Sequence, residues 1–145
     1  MSAAPAPILE PGATIGVLGG GQLGRMIALA AAGLGLKAHV YAPPGDNPAF
    51  DVAAASTLAA YEDEAALARF ADSVDVVTYE FENVPARAAE LIAARRPLRP
   101  GARALATTQD RLVEKDFVRS LGIETTPYLA VDDGGGLARA VAALG

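Results

Sequence analysis

Apolar and polar residues follow one another along the chain in blocks that predict strands and helices in turn. Short apolar runs predict buried strands, and apolar residues three or four positions apart predict helices. Strands are expected at 14–18, 37–41, 54–58 and 74–79, and helices at 22–34, after Glu62 and after Pro85. Short apolar strands alternating with helices are typical of a parallel sheet that helices cover on both faces. We therefore expect an α/β fold.

The pattern changes after the third helix. Prolines and a glycine at 97–101 leave room only for a short strand around Leu98, and we place a domain boundary near Gly101. The residues beyond it predict a helix capped by Asp110, a strand and a second helix, at 113–121, 127–131 and 137–144. About 40 residues are too few for an independent core, so this part is expected to begin a larger domain.

Charge and composition exclude several classes of function. The net charge is −5 and the isoelectric point about 4.8, so the basic surface that a non-specific nucleic-acid or anionic-membrane partner requires is not expected. The chain has no cysteine and one histidine, which excludes disulfides, thiolate metal sites and a cysteine nucleophile.

No targeting or membrane segment is predicted. The longest apolar run, 26–36, falls short of the ~20 residues that span a bilayer. Residues 1–12 have neither a basic start nor an apolar centre, so we interpret them as a flexible leader and not a secretory signal. A cytoplasmic protein is the resulting expectation.

A glycine motif separates the first strand from the first helix. Gly19, Gly21 and Gly24 match the dinucleotide fingerprint, and the free amides at the start of the helix are suited to a phosphate. That fingerprint also requires an acidic residue ~20 positions on, where this chain has Ala42 and Pro43. A nicotinamide cofactor is therefore disfavoured. It remains open whether the glycines serve a ligand or only tight packing of strand and helix.

An acidic cluster follows the fourth predicted strand. Glu80 and Glu82 come after Tyr79, at the carboxyl end of the sheet where the glycine motif also lies, so both can meet one ligand. The glycine amides would take a phosphate and a carboxylate would accept hydrogen bonds from sugar hydroxyls, as a phosphoribosyl compound requires. The alternative is that both acids are solvated or cap the helix that begins near Pro85.

Basic residues on the helix after Asp110 have an ordinary explanation. Arg111 and Lys115 lie four positions apart with Glu114 beside them. Their spacing favours a solvated, salt-bridged helix face.

Three segments together resemble a known family. IGVLGGGQLGRMIALAAAGLGLKAHVY, VDVVTYEFENVP and QDRLVEKDFVRSLGIETTPY, in this order and at these distances, are similar to the amino-terminal part of the 5-(carboxyamino)imidazole ribonucleotide synthases of the ATP-grasp superfamily. The resemblance covers residues 13–131. It implies a Rossmann-like preATP-grasp domain at 13–101 and the beginning of an ATP-grasp domain at 102–145.

The resemblance also implies a reaction and a set of contacts. Members of the family carboxylate 5-aminoimidazole ribonucleotide in purine biosynthesis with bicarbonate and ATP, through carboxyphosphate, and they use Mg²⁺. By similarity, Gly21, Gln22 and Leu23 would contact the ribonucleotide, Glu80 would bind its ribose hydroxyls, and Arg111 would contact ATP phosphates. No catalytic residue and no metal ligand is expected in these 145 residues.

The chain departs from the family in two respects. Family members are more than twice as long, so most of the ATP and Mg²⁺ site is expected outside these 145 residues, and we do not expect these residues to catalyse alone. At full length, members of the family are expected to form homodimers. Ala42 also stands where the family often has an acid. The alternative functions are a non-catalytic module that binds a nucleotide or a partner, and a dinucleotide-binding domain.

Overall fold

The computed structural model describes residues 8–145 and divides into two compact units. The first unit extends to Ala106, and the second spans Thr107–Gly145. The leader predicted at residues 1–12 lies for the most part outside the described residues. Within the described part of the chain, no helix is both long and apolar enough to cross a membrane.

A parallel sheet of four strands forms the first unit, as the sequence predicts. The strands are β1 (Thr14–Leu18), β2 (Lys37–Ala42), β3 (Ala55–Leu58) and β4 (Val76–Tyr79). Their spatial order is β3-β2-β1-β4, with Val17 beside Val40 on one side and Thr78 on the other. Because β1 lies between β2 and β4, the segments that follow these three strands meet at one edge of the sheet.

Helices connect the strands and form most of the second unit. They are α1 (Gln22–Gly33), α2 (Glu64–Asp72), α3 (Ala86–Ala93), α4 (Ala102–Thr108), α5 (Arg111–Ser120) and α6 (Gly134–Leu144). Asp110 caps α5 as predicted, since its Oδ1 accepts hydrogen bonds from the amides of Leu112 at 2.8 Å and Val113 at 3.0 Å. The sequence pattern did not reveal α4.

The core lies on both faces of the sheet, because side chains alternate along each strand. Leu18 and Tyr41 are fully buried against α2 and α3, in a cluster that includes Phe70 and Ile92. Their neighbours Val17 and Val40 point the other way, into a smaller cluster with Ala49 and Ile27. Burial on both faces explains why these strands are apolar at consecutive positions.

Two sequence predictions near the boundary have different outcomes. The short strand expected around Leu98 is only a single β-bridge between Leu98 and Val77. The Val77 amide donates to the Pro97 carbonyl, and the Arg99 amide donates to the Val77 carbonyl, each at 2.9 Å. The strand predicted at 127–131 is wrong, since that segment has no regular secondary structure. A strand needs a neighbour for its amides and carbonyls, and none of the described strands lies in the second unit.

The one histidine of the chain is half-buried and packs edge-on against Phe70, with ring centroids 5.0 Å apart. His39 Nε2 lies 2.8 Å from Thr57 Oγ1, and Nδ1 lies 2.9 Å from Ser73 Oγ. The Ser73 hydroxyl also lies 2.7 Å from the Phe70 carbonyl, and a neutral imidazole has one donor and one acceptor nitrogen for the two hydroxyls that it contacts. Burial lowers the pKa of His39 below its ordinary value of 6.5.

We expect His39 to make folding pH-dependent in the weakly acidic range. Its pKa is lower in the folded chain than in the unfolded chain, so between these two values the unfolded chain binds more protons and the free energy of unfolding falls as pH decreases below about 6.5. Denaturant unfolding from pH 7.5 to 5.5 should show this decline, and His39→Gln should reduce it. A ring-proton NMR titration with a midpoint at or above 6.5 would contradict the assignment.

Candidate functional site

The site is built on the turn between β1 and α1. Gly19 has a φ of +115°, a left-handed conformation that favours glycine, and its amide donates to the Tyr41 carbonyl at 2.9 Å. Gly21 is the residue before α1, and it has no side chain with which to cap the helix. The first amides of α1 therefore need acceptors from elsewhere in the chain.

Glu80 supplies those acceptors from the end of β4. Its Oε1 accepts a hydrogen bond from the Gly21 amide at 2.8 Å, and its Oε2 accepts one from the Gly24 amide. The Glu80 amide donates to the Leu18 carbonyl at 3.1 Å, which fixes the backbone beside β1. The glycine turn and the acidic segment thus converge, as the topology predicts. One carboxylate satisfies two amides at the positive end of the α1 dipole.

The glycines of the motif leave room for this carboxylate. A Cβ added to Gly19 would lie 2.6 Å from Glu80 Oε1, and one added to Gly21 would lie 3.0 Å from the same atom. A Cβ on Gly24 would lie 2.6 Å from the Gly19 carbonyl oxygen and 3.0 Å from Glu80 Oε2. A residue with a side chain at any of these positions would displace Glu80 or the turn.

The segment after β2 covers the fourth glycine. A Cβ on Gly20 would lie 2.8 Å from Asn47 Cγ, and the Gly20 carbonyl accepts from the Ala49 amide at 2.9 Å. Asn47 Nδ2 donates to the carbonyls of Pro43 at 3.0 Å and Gly45 at 3.2 Å, which holds the loop in this position. Ala42, where a dinucleotide site needs an acid, is buried.

Four residues predicted to contact a ligand line one pocket. Gly21, Gln22, Leu23 and Glu80 form it together with Phe81 and Asn83, and its volume is about 220 Å³. Leu23 and Phe81 are about half exposed at the rim, and Glu80 provides the negative charge. The volume is below the roughly 300 Å³ at which ligand pockets usually begin. The pocket is therefore smaller than most ligand pockets.

Several neighbours of the site were not predicted as ligand contacts. Phe81 and Asn83 belong to the predicted acidic cluster after β4, and this position was the available signal. Tyr61 stacks on Tyr41 with ring centroids 5.8 Å apart. Burial, followed by the negative charge of Glu80, raises the pKa of Tyr61 to about 12. Nothing in the local sequence indicates that Asn47 reaches Gly20.

Arg111, the predicted ATP contact, belongs to the second unit. It begins α5 and forms an ion pair with Glu114, which fits the salt-bridged helix face expected from the spacing. Lys115 Nζ donates to Thr126 Oγ1 at 2.8 Å and to the Thr126 carbonyl at 3.1 Å. In residues 8–145 no three His, Cys, Asp or Glu side chains come together as a metal site.

A family model identifies the first unit. The ribonucleotide synthetase preATP-grasp domain matches residues 12–109, more than half of the chain. The chain belongs to this family. The Rossmann-like preATP-grasp fold expected from the resemblance is thereby confirmed.

Relatives of this preATP-grasp chain are longer. The N5-carboxyaminoimidazole ribonucleotide synthase of Brucella melitensis is 49% identical over 137 residues, which are 94% of this chain and 38% of the relative. An ADP complex of an N5-carboxyaminoimidazole ribonucleotide synthetase superposes with a TM-score of 0.87 at 40% identity, over 94% of this chain and 36% of that one. The chain therefore spans little more than a third of these relatives.

A second similar structure contains a ribonucleotide. It is the N5-carboxyaminoimidazole synthase of Aspergillus clavatus in complex with ADP and 5-aminoimidazole ribonucleotide. Its TM-score is 0.80 at 30% identity, over 93% of this chain and 37% of that one.

We expect Glu80 to contribute measurably to the stability of this preATP-grasp unit. Glu80→Ala leaves two amides at the start of α1 without their charged acceptor and should lower the free energy of unfolding by about 1.5–3 kcal/mol. Denaturant titration followed by circular dichroism measures the change.

The matched control is Glu90→Gln, which removes one negative charge at an exposed position of α3. It should leave the unfolding midpoint within about 0.5 kcal/mol of the unaltered chain. Equal effects of the two substitutions would show that Glu80 acts only through net charge and would contradict the hydrogen-bonding role.

Proposed function

We propose that this chain forms the ribonucleotide-facing part of an N5-carboxyaminoimidazole ribonucleotide synthase. The observation that carries the proposal is the pocket in which Gln22, Leu23 and Glu80 meet beside the glycine turn of a preATP-grasp fold. The complete enzyme would join the carboxyl group of bicarbonate to the amine of 5-aminoimidazole ribonucleotide. ATP would be converted to ADP and phosphate through carboxyphosphate.

Glu80 would recognise the ribose of the substrate. A carboxylate has about four lone-pair positions, and the Gly21 and Gly24 amides use two of them. The remaining two can accept hydrogen bonds from the vicinal hydroxyls of a ribose. Gln22 offers an amide side chain at the same pocket, and Leu23 offers an apolar surface for the base.

The second unit would contribute to nucleotide binding. Arg111 is a cation at the start of α5, and it would exchange its ion pair with Glu114 for a phosphate of ATP. The described residues do not form a metal site, so we assign no Mg²⁺ ligand to them. The proposal includes a homodimer, as the sequence resemblance implies, and a cytoplasmic location, as the sequence pattern led us to expect.

A direct binding experiment separates this proposal from a dinucleotide-binding domain. Calorimetric titration with 5-aminoimidazole ribonucleotide should give saturable heat, and titration with NADH should give none. Glu80→Ala should weaken ribonucleotide binding roughly 10- to 100-fold, the effect of losing a hydrogen bond to a charged group, while Glu90→Gln should not. A preference for NADH would overturn the proposal.

A chimera tests the activity of the whole enzyme. In the Brucella melitensis relative, the region matched by this chain would be replaced with residues 8–145, and ADP formation would be measured with bicarbonate and ATP. We expect ADP formation that depends on 5-aminoimidazole ribonucleotide and that Glu80→Ala reduces. A folded chimera that binds the ribonucleotide without forming ADP would favour a non-catalytic binding module.

A further inference from the structure

We propose that Glu80 is an internal anion that occupies the phosphate position of the glycine turn. It holds the Gly21 and Gly24 amides, and it thereby excludes the phosphate of any ligand from the start of α1. The glycine fingerprint of this chain would then serve a side chain of the protein and not a bound nucleotide. Glu80 is in this sense a specificity-determining residue.

The first support is electrostatic. Helix starts attract anions because their amides are unpaired and the helix dipole is positive there. At the start of α1 the two oxygens of the Glu80 carboxylate already accept from these amides, although Glu80 lies 59 positions after Gly21 and 56 after Gly24 in the sequence. A tethered carboxylate has a high effective concentration, so a free phosphate would have to displace it.

The second support is steric and independent of the hydrogen bonds. In a dinucleotide site, small glycines let the diphosphate approach the backbone. Here the atoms nearest to the missing side chains of Gly19 and Gly21 belong to Glu80, whose Oε1 lies 2.6 Å and 3.0 Å from the two ideal Cβ positions. The space that glycine provides is already filled from within the chain.

The third support comes from the loop after β2. Asn47 and Ala49 contact Gly20, so the turn is covered on the side of β2, where a dinucleotide would continue towards its ribose acid. Ala42 offers no carboxylate there and is itself buried. The covered turn and the missing acid therefore both disfavour dinucleotide binding on the β2 side of the glycine motif.

One consequence depends on the proposed function. If Glu80 faces the ribose of a ribonucleotide, the 5′-phosphate of that substrate must be bound away from the glycine turn, by groups other than the Gly21 and Gly24 amides. The site would then select its ligand through ribose hydroxyls and would reject ligands that present a diphosphate to α1. The hydrogen bonds of Glu80 themselves do not depend on this function.

Nuclear magnetic resonance with inorganic phosphate as the probe tests the proposal. In the ¹⁵N-labelled chain at constant ionic strength, phosphate up to tens of millimolar should leave the Gly21 and Gly24 amide resonances unchanged. In Glu80→Ala, both resonances should shift saturably, with phosphate binding at least tenfold tighter than in the unaltered chain. Glu90→Gln should behave like the unaltered chain.

Two outcomes would overturn the proposal. Saturable shifts of the Gly21 and Gly24 amides in the unaltered chain would show that phosphate reaches the turn despite Glu80, and this result does not depend on the folding of any variant. A folded Glu80→Ala chain whose turn gains no phosphate binding would show that Glu80 does not occupy an anion position. The experiment uses inorganic phosphate and no ribonucleotide. Both outcomes can therefore be interpreted even if the chain does not bind 5-aminoimidazole ribonucleotide.

Discussion

The double hydrogen bond between the Glu80 carboxylate and the amides of Gly21 and Gly24 is the constraint on which the site depends. It joins the end of β4 to the start of α1 and compensates the positive end of that helix. It also positions Gln22 and Leu23, the first two residues of α1, at the pocket. Without it, α1 would begin with unpaired amides and the pocket would have no fixed wall.

The same interaction changes the meaning of the glycine motif. A glycine fingerprint after a strand indicates only that something approaches the backbone closely, and it does not say what. In this chain the approaching groups are Glu80 at three of the glycines and Asn47 at Gly20. We propose that a fold resembling a dinucleotide-binding domain thereby serves a different ligand, whose hydroxyl groups would donate to the lone pairs that Glu80 retains.

Much of the fold and part of the site could be predicted from the sequence, because both follow from local pattern and sheet topology. Apolar runs predicted the strands, and the rule that parallel strands end at one edge placed Glu80 beside the glycine turn. The occupant of the turn could not be predicted, because a carboxylate and a phosphate require the same amides. The contact of Asn47 with Gly20 depends on loop geometry, and the strand expected at 127–131 failed because pairing partners are not encoded locally.

The most direct measurement of the central claim is amide hydrogen exchange at Gly21 and Gly24. If Glu80 accepts both hydrogen bonds, these two amides exchange slowly in the unaltered chain, and Glu80→Ala accelerates them by a larger factor than the Val17 amide within β1, whose exchange changes only with the free energy of unfolding. Rapid exchange of both glycine amides in the unaltered chain, or equal rates with and without the Glu80 carboxylate, would contradict the account.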